Sequence, residues 1–188
     1  SEDKFLGCTR DFLGRQLVYV PAGNELNAEV FEYQMNRDCL RTLNFLERYA
    51  KVVIVDTSAS PLESSRRILR EADLVVVNLS QNERMLSHFF RNYSEIRKKA
   101  FYVIGNYEEN SALSRERIIK KYRLNAEKIG IIPHNIDFQD AISQGNLIPF
   151  LVNHFNCRKR NGNYAFMKAA KETEELFYRQ VCMAGGIY

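Results

Sequence analysis

Lys51-Val-Val-Ile-Val-Asp56-Thr57-Ser-Ala-Ser-Pro61 is the stretch on which the fold reading turns. Four β-branched residues run unbroken into an aspartate, a turn of small residues follows, and Pro61 opens what reads as a helix. A buried parallel strand that delivers a carboxylate to the end of a sheet has this pattern. In nucleotide-hydrolysing folds a carboxylate so placed supports a magnesium ion. The phosphate loop such folds require, G-x-x-x-x-G-K-[ST], is absent, because none of the nine glycines is followed by lysine.

Working outward, short apolar runs alternate with segments of helical period. The runs predict strands at 17–20, 52–56, 74–79, 101–104 and 129–132. Helix-length segments separate the last four, so these are expected to be mutually parallel. Ser60-Pro61-Leu62-Glu63 and Ser80-Gln-Asn-Glu83 both read as capped helix starts. Met85, Leu86, Phe89, Phe90, Tyr93 and Ile96 make one apolar face after the second. Further helices are expected around Asn36 to Arg48, from a Ser114 cap to Tyr122, from an Asn135 cap to just before Gly145, and from Tyr164 to Met183. In that last helix Met167, Ala170, Phe177 and Val181 form the expected buried stripe. The fold class is therefore α/β, a mostly parallel sheet with helices on both faces.

The 188 residues are 45% hydrophobic and 27% charged, which suits one soluble domain. A net charge of +4 is too small to identify a nucleic-acid binder by itself. Cys8, Cys39, Cys157 and Cys182 are far apart and form no C-x-x-C pair, which argues against zinc and for a reducing, cytoplasmic setting. No apolar run approaches the ~20 residues of a membrane span.

In a parallel sheet, ligands bind beyond the carboxyl ends of the strands. Those ends carry Asp56-Thr57-Ser58, Asn78-Leu79-Ser80-Gln81, Gly105-Asn106-Tyr107 and Pro133-His134-Asn135. The ordered pieces Val18-Tyr-Val-Pro-Ala-Gly23, Tyr49 to Asp56, Ala72 to Gln81, Val103-Ile-Gly-Asn106, Ile129 to His134 and Phe138 to Gly145 resemble the MinD/ParA family of deviant P-loop ATPases over roughly Leu17 to Phe150. The resemblance implies a P-loop NTPase-like fold lacking its first strand and phosphate loop, and hence a single, incomplete nucleotide-switch domain spanning 1–188. It implies ATP and magnesium as cofactors, with Asp56 in the outer magnesium shell and Asn106, Pro133, His134 and Asn135 around the adenine. It also implies a homodimer and a role in positioning or partitioning a cargo. Two departures bear on catalysis: Thr57-Ser58-Ala59 replaces the family's proline–glycine turn, and Tyr107 stands where an arginine is common. No residue is assigned a catalytic role, and hydrolysis by this chain is not expected.

Two other readings stand beside this one. The scaffold could be a non-hydrolysing interaction module, or a DNA-tethering partition protein that uses Arg158, Lys159 and Arg160. That basic run lies in the polar loop 156–163, where a solvated surface turn is the simpler reading. Asp56 could instead cap a turn or the next helix, and Asn106 could simply form a loop beside Gly105. His134 has no readable carboxylate partner, so a loop-shaping role competes with ligand contact.

Overall fold

Three parallel strands, β3 (Val75–Leu79), β4 (Ala100–Tyr107) and β5 (Ile129–Pro133), form a sheet in that order with β4 at its centre. The computed structural model describes residues 10–12, 17–20, 27–57 and 62–185. It divides into two compact units, Ser1–Ile68 and Leu69–Tyr188.

The second unit holds the parallel sheet. α3 (Glu83–Asn92) and a 3-10 turn (Ser94–Lys99) connect β3 to β4; α4 (Arg115–Tyr122) and a second 3-10 turn (Ala126–Lys128) connect β4 to β5. Strand alternation sorts the side chains. Ala100, Tyr102 and Ile104 join Leu79, Leu86, Phe90, Ile118 and Ile129 in one core, which places α3 and α4 on that face. Phe101 points the other way and meets Phe177 of α7 (Tyr164–Gly185), ring centroids 5.5 Å apart. The α/β reading with flanking helices therefore holds. α5 (Ile136–Ser143) and α6 (Leu147–His154) close a smaller cluster in which Ala141 and Phe150 pack with Phe166 and Met167 of α7.

α7 also covers the outer edge of β5. The Thr173 hydroxyl accepts from the Ile131 amide at 2.9 Å and donates to the Ile131 carbonyl at 2.8 Å. A threonine is thus buried in the helix stripe to satisfy an edge strand that would otherwise expose unpaired backbone groups.

In the first unit β1 (Arg10–Phe12) and β2 (Leu17–Tyr19) pair antiparallel. α1 (Ala28–Leu46) and α2 (Glu63–Glu71) share a polar seam, where the Glu32 carboxylate accepts from the Ser64 hydroxyl at 2.9 and 3.0 Å and Arg67 donates to the Asn36 carbonyl at 2.8 Å.

Several expectations need correction. Residues 52–56 are not a strand: the segment is irregular, with Ile54 81% exposed. β-branched residues favour extended backbone, but only a hydrogen-bonded neighbour makes a strand of it, and none pairs with this segment among the described residues. Strand 17–20 exists but in a separate antiparallel pair. α3 is capped by Asn82, whose side chain accepts from the Met85 amide at 3.1 Å, and not by Ser80. Met85 consequently faces outward at 61% exposure. The buried residues of α7 are Phe166, Met167, Thr173 and Gln180, with Ala170, Phe177 and Val181 only half-buried. α1 begins eight residues earlier than Asn36, at Ala28, and α6 was not foreseen. The Ser60 cap lies outside the described residues. Strands 74–79, 101–104 and 129–132 are all present and parallel, and the Ser114 and Asn135 caps are formed.

Candidate functional site: a crevice at the strand ends

The carboxyl end of β4 is bulged. Ile104 pairs with Ile131 and Tyr107 with Pro133, so Gly105 and Asn106 lie opposite the single residue Ile132. Bulges re-aim side chains and end pairing, and they recur beside functional sites. Asn106 adopts φ 48°, the left-handed region, where asparagine is among the few non-glycine residues found regularly. Gly105 is needed for closeness: a Cβ there would stand 2.9 Å from Asn78 Oδ1. Together they turn the exposed Asn106 side chain out beyond the end of the central strand.

A crevice of about 180 Å³ opens between the ends of β3 and β4, lined by Asn78, Leu79, Ser80, Gly105 and Asn106. Gln81 sets its width. Its side chain donates to the carbonyls of Glu108 (3.1 Å) and Leu113 (2.9 Å) and accepts from the Glu108 amide (2.7 Å), tying the loop after β3 to the loop after β4. On the other side Gln139 of α5 donates to Asn106 Oδ1 at 3.3 Å and lies 3.4 Å from His134 Nδ1. The rim is thus built of amides, one hydroxyl and one imidazole. Among the described residues no lysine or arginine lines the crevice.

The residues anticipated from sequence separate into three groups. Asn106 and His134 come together through Gln139. Pro133 is the half-buried last residue of β5, and the chain continues its pairing through the His134 amide to the Tyr107 carbonyl at 3.1 Å. Asn135 uses its side chain on the protein: Oδ1 accepts from the Phe138 amide at 2.7 Å and Nδ2 donates to Asn163 Oδ1 at 2.8 Å. Asn163 is buried and donates to Asp137 at 3.0 Å, so this network fastens the start of α5 to the loop before α7. Asp56 is exposed on the irregular segment of the first unit. Among the described residues no group of three or more His, Cys, Asp or Glu is placed to hold a metal ion. Gln139 went unassigned in the sequence; its one signal is its place one turn after the Asn135 cap.

Arg158, Lys159 and Arg160 are exposed in a turn. Of the two lysines beyond them, Lys168 pairs with Glu172 at 3.7 Å, and Lys171 lies 3.9 Å from the centroid of the Phe155 ring and donates to Asn156. No helix among the described residues is long and apolar enough to cross a membrane.

No protein-family model, curated protein or solved structure matches the chain.

Proposed function

We propose that this chain is the base-recognising part of an adenine-nucleotide switch of the MinD/ParA kind, one that binds the base at the strand ends and does not itself hydrolyse ATP. The observation that carries the reading is the bulge that holds Asn106 at φ 48° beside the crevice. An asparagine amide donates to N7 and accepts from the 6-amino group of adenine. Guanine offers two acceptors at the same edge, which an amide cannot match. The Gln139 contact takes one lone pair of Asn106 Oδ1 and leaves the other, together with the amide N–H₂, for a ligand.

Size and charge agree with a base. The crevice of about 180 Å³ is smaller than the ~300–1,000 Å³ of sites that enclose whole drug-sized ligands. Its lining has no cation to hold a terminal phosphate, and the sequence contains no phosphate loop. Phosphoryl transfer depends on such electrostatic positioning.

Ligand-observed NMR with adenosine and ATP tests the reading. Binding on the order of a millimolar is expected from base contacts alone. Asn106→Leu should weaken it about 5- to 150-fold, the ~1–3 kcal/mol for leaving a polar partner unpaired. Equal affinity in the variant would mean that the base is not read here. The exposed Ile136, Ile148, Val152 and Phe155 on α5, α6 and the turn after α6 favour a second reading, an interaction module without nucleotide. Absence of any adenosine binding would select it.

A further inference from the structure

A second cavity, of about 370 Å³, is lined by Ser87, Phe90, Arg91, Arg97, Lys121, Tyr122 and Arg123. It is built from the C-terminal parts of α3 and α4 and from the 3-10 turn that leads into β4, so it lies toward the end of the sheet where strands begin. The adenine crevice lies where they finish. Four cations converge here. Lys121 is paired with the Glu83 carboxylate, which lowers the Glu83 pKa and raises that of Lys121. Arg97 donates to the Tyr122 carbonyl at 2.7 Å, a contact that leaves its charge uncompensated. Arg91 and Arg123 meet no carboxylate among the described residues. With Glu83 counted against the four, the cluster carries a net charge of +3.

We infer that this cavity binds a phosphate-bearing anion, gripped by Arg91 and Arg123 with Arg97 and Lys121 behind them. Guanidinium groups match phosphate oxygens in bidentate geometry, and a concentration of one sign of charge in a concave site draws in the opposite sign.

The aromatic residues present show which part of such a ligand is recognised. Phe90 is 8% exposed and packs against the Tyr122 ring, 4.2 Å away and nearly parallel, with the Arg97 guanidinium 5.5 Å from its centroid. Lys121 stands 5.6 Å from the Tyr122 ring centroid. With Phe90 and Tyr122 engaged in these contacts, recognition falls to the cations, and the site reads phosphate groups.

One further feature fits. Arg123 holds the left-handed conformation, φ 52°, at the C-cap of α4, where glycine is the usual occupant, so an arginine is kept where it is conformationally disfavoured.

Calorimetric titration of the whole chain with inorganic tripolyphosphate, and separately with a short duplex DNA, tests the inference and distinguishes a free polyphosphate from a nucleic-acid backbone. Binding of either should weaken about tenfold in Arg91→Ala and again in Arg123→Gly. It should also fall with added salt. Arg123→Gly should unfold at the same or a higher temperature, which separates loss of the site from loss of the fold. Asn106→Leu should leave binding unchanged, because it alters only the strand-end crevice. Binding of neither probe, or binding indifferent to both arginines, or an equal loss in Asn106→Leu, would overturn the inference.

Discussion

Gly130→Ala should be among the most damaging single-methyl additions in this chain, and the reason lies in how α7 meets β5. A Cβ on residue 130 would stand 2.4 Å from Thr173 Cγ2, 2.6 Å from its Oγ1 and 2.8 Å from its Cβ. Rotating Thr173 about χ1 moves the first two atoms but not the third, so the helix or the strand must give way. Forcing a methyl into a packed site costs about 1–3 kcal/mol. Displacing α7 also stretches the two bonds between Thr173 and Ile131, each worth about 0.5–1.5 kcal/mol. The total is about 2–6 kcal/mol, a large part of the ~5–15 kcal/mol available to a folded domain. Thr173→Ala removes the γ atoms and both bonds, and should cost about 1–3 kcal/mol alone. In that background the two bonds are already absent and only the 2.8 Å contact with Cβ remains, so Gly130→Ala should cost less than in the parent, giving a coupling of about 1–3 kcal/mol, the worth of the two bonds. Urea denaturation of the four proteins of this cycle measures it. A loss below about 1 kcal/mol for Gly130→Ala, or additive behaviour, would refute the close-contact argument.

The exposed pair Glu83–Lys121 carries a pH signature. Because the carboxyl pKa is lowered in the fold, its contribution is fully present above the ordinary glutamate range and is lost as pH falls through the folded value. Because the Lys121 pKa is raised, its contribution is present below the ordinary lysine range and is lost as pH rises through the folded value. Thermal scans across pH should show both limbs, and Glu83→Gln should abolish them. Reversing Arg158, Lys159 and Arg160 to glutamate should leave unfolding within about 0.5 kcal/mol of the parent, because all three are exposed. If the chain tethers DNA through this loop, the same change should flatten the salt dependence of binding; DNA affinity that does not change removes the loop from that role.

What the sequence revealed and what it hid follow from how local each determinant is. β3, β4 and β5 were readable because each is a short run of successive apolar residues, although Val76 of β3 stays 52% exposed. Ser114 and Asn135 were readable as caps because capping needs only the next three residues. Residues 52–56 misled because strand formation depends on a neighbour that the segment does not contain. Ser80 misled because a Ser-x-x-Glu pattern and Asn82 compete for one helix start, and local pattern alone does not choose between them. Thr173 could not be read as an edge cap, nor Gln139 as a partner of Asn106, because each contact joins residues at least 33 apart in sequence. The basic cavity is likewise a tertiary product, with Arg91 and Arg123 on different helical segments. Asn106 lies between these cases: Gly-Asn at a strand end announces a special backbone, but the bulge that aims the side chain appears only when β4 pairs with β5.

The side-chain amide of Asn106 offers the most direct test of the central claim that the bulged end of β4 reads adenine. In a ¹⁵N-labelled chain, its N–H₂ resonances should shift progressively with adenosine, saturating together with the Gln139 side chain, and should not shift with guanosine at the same concentration. Equal shifts with both nucleosides, or none with adenosine up to solubility, would contradict the account.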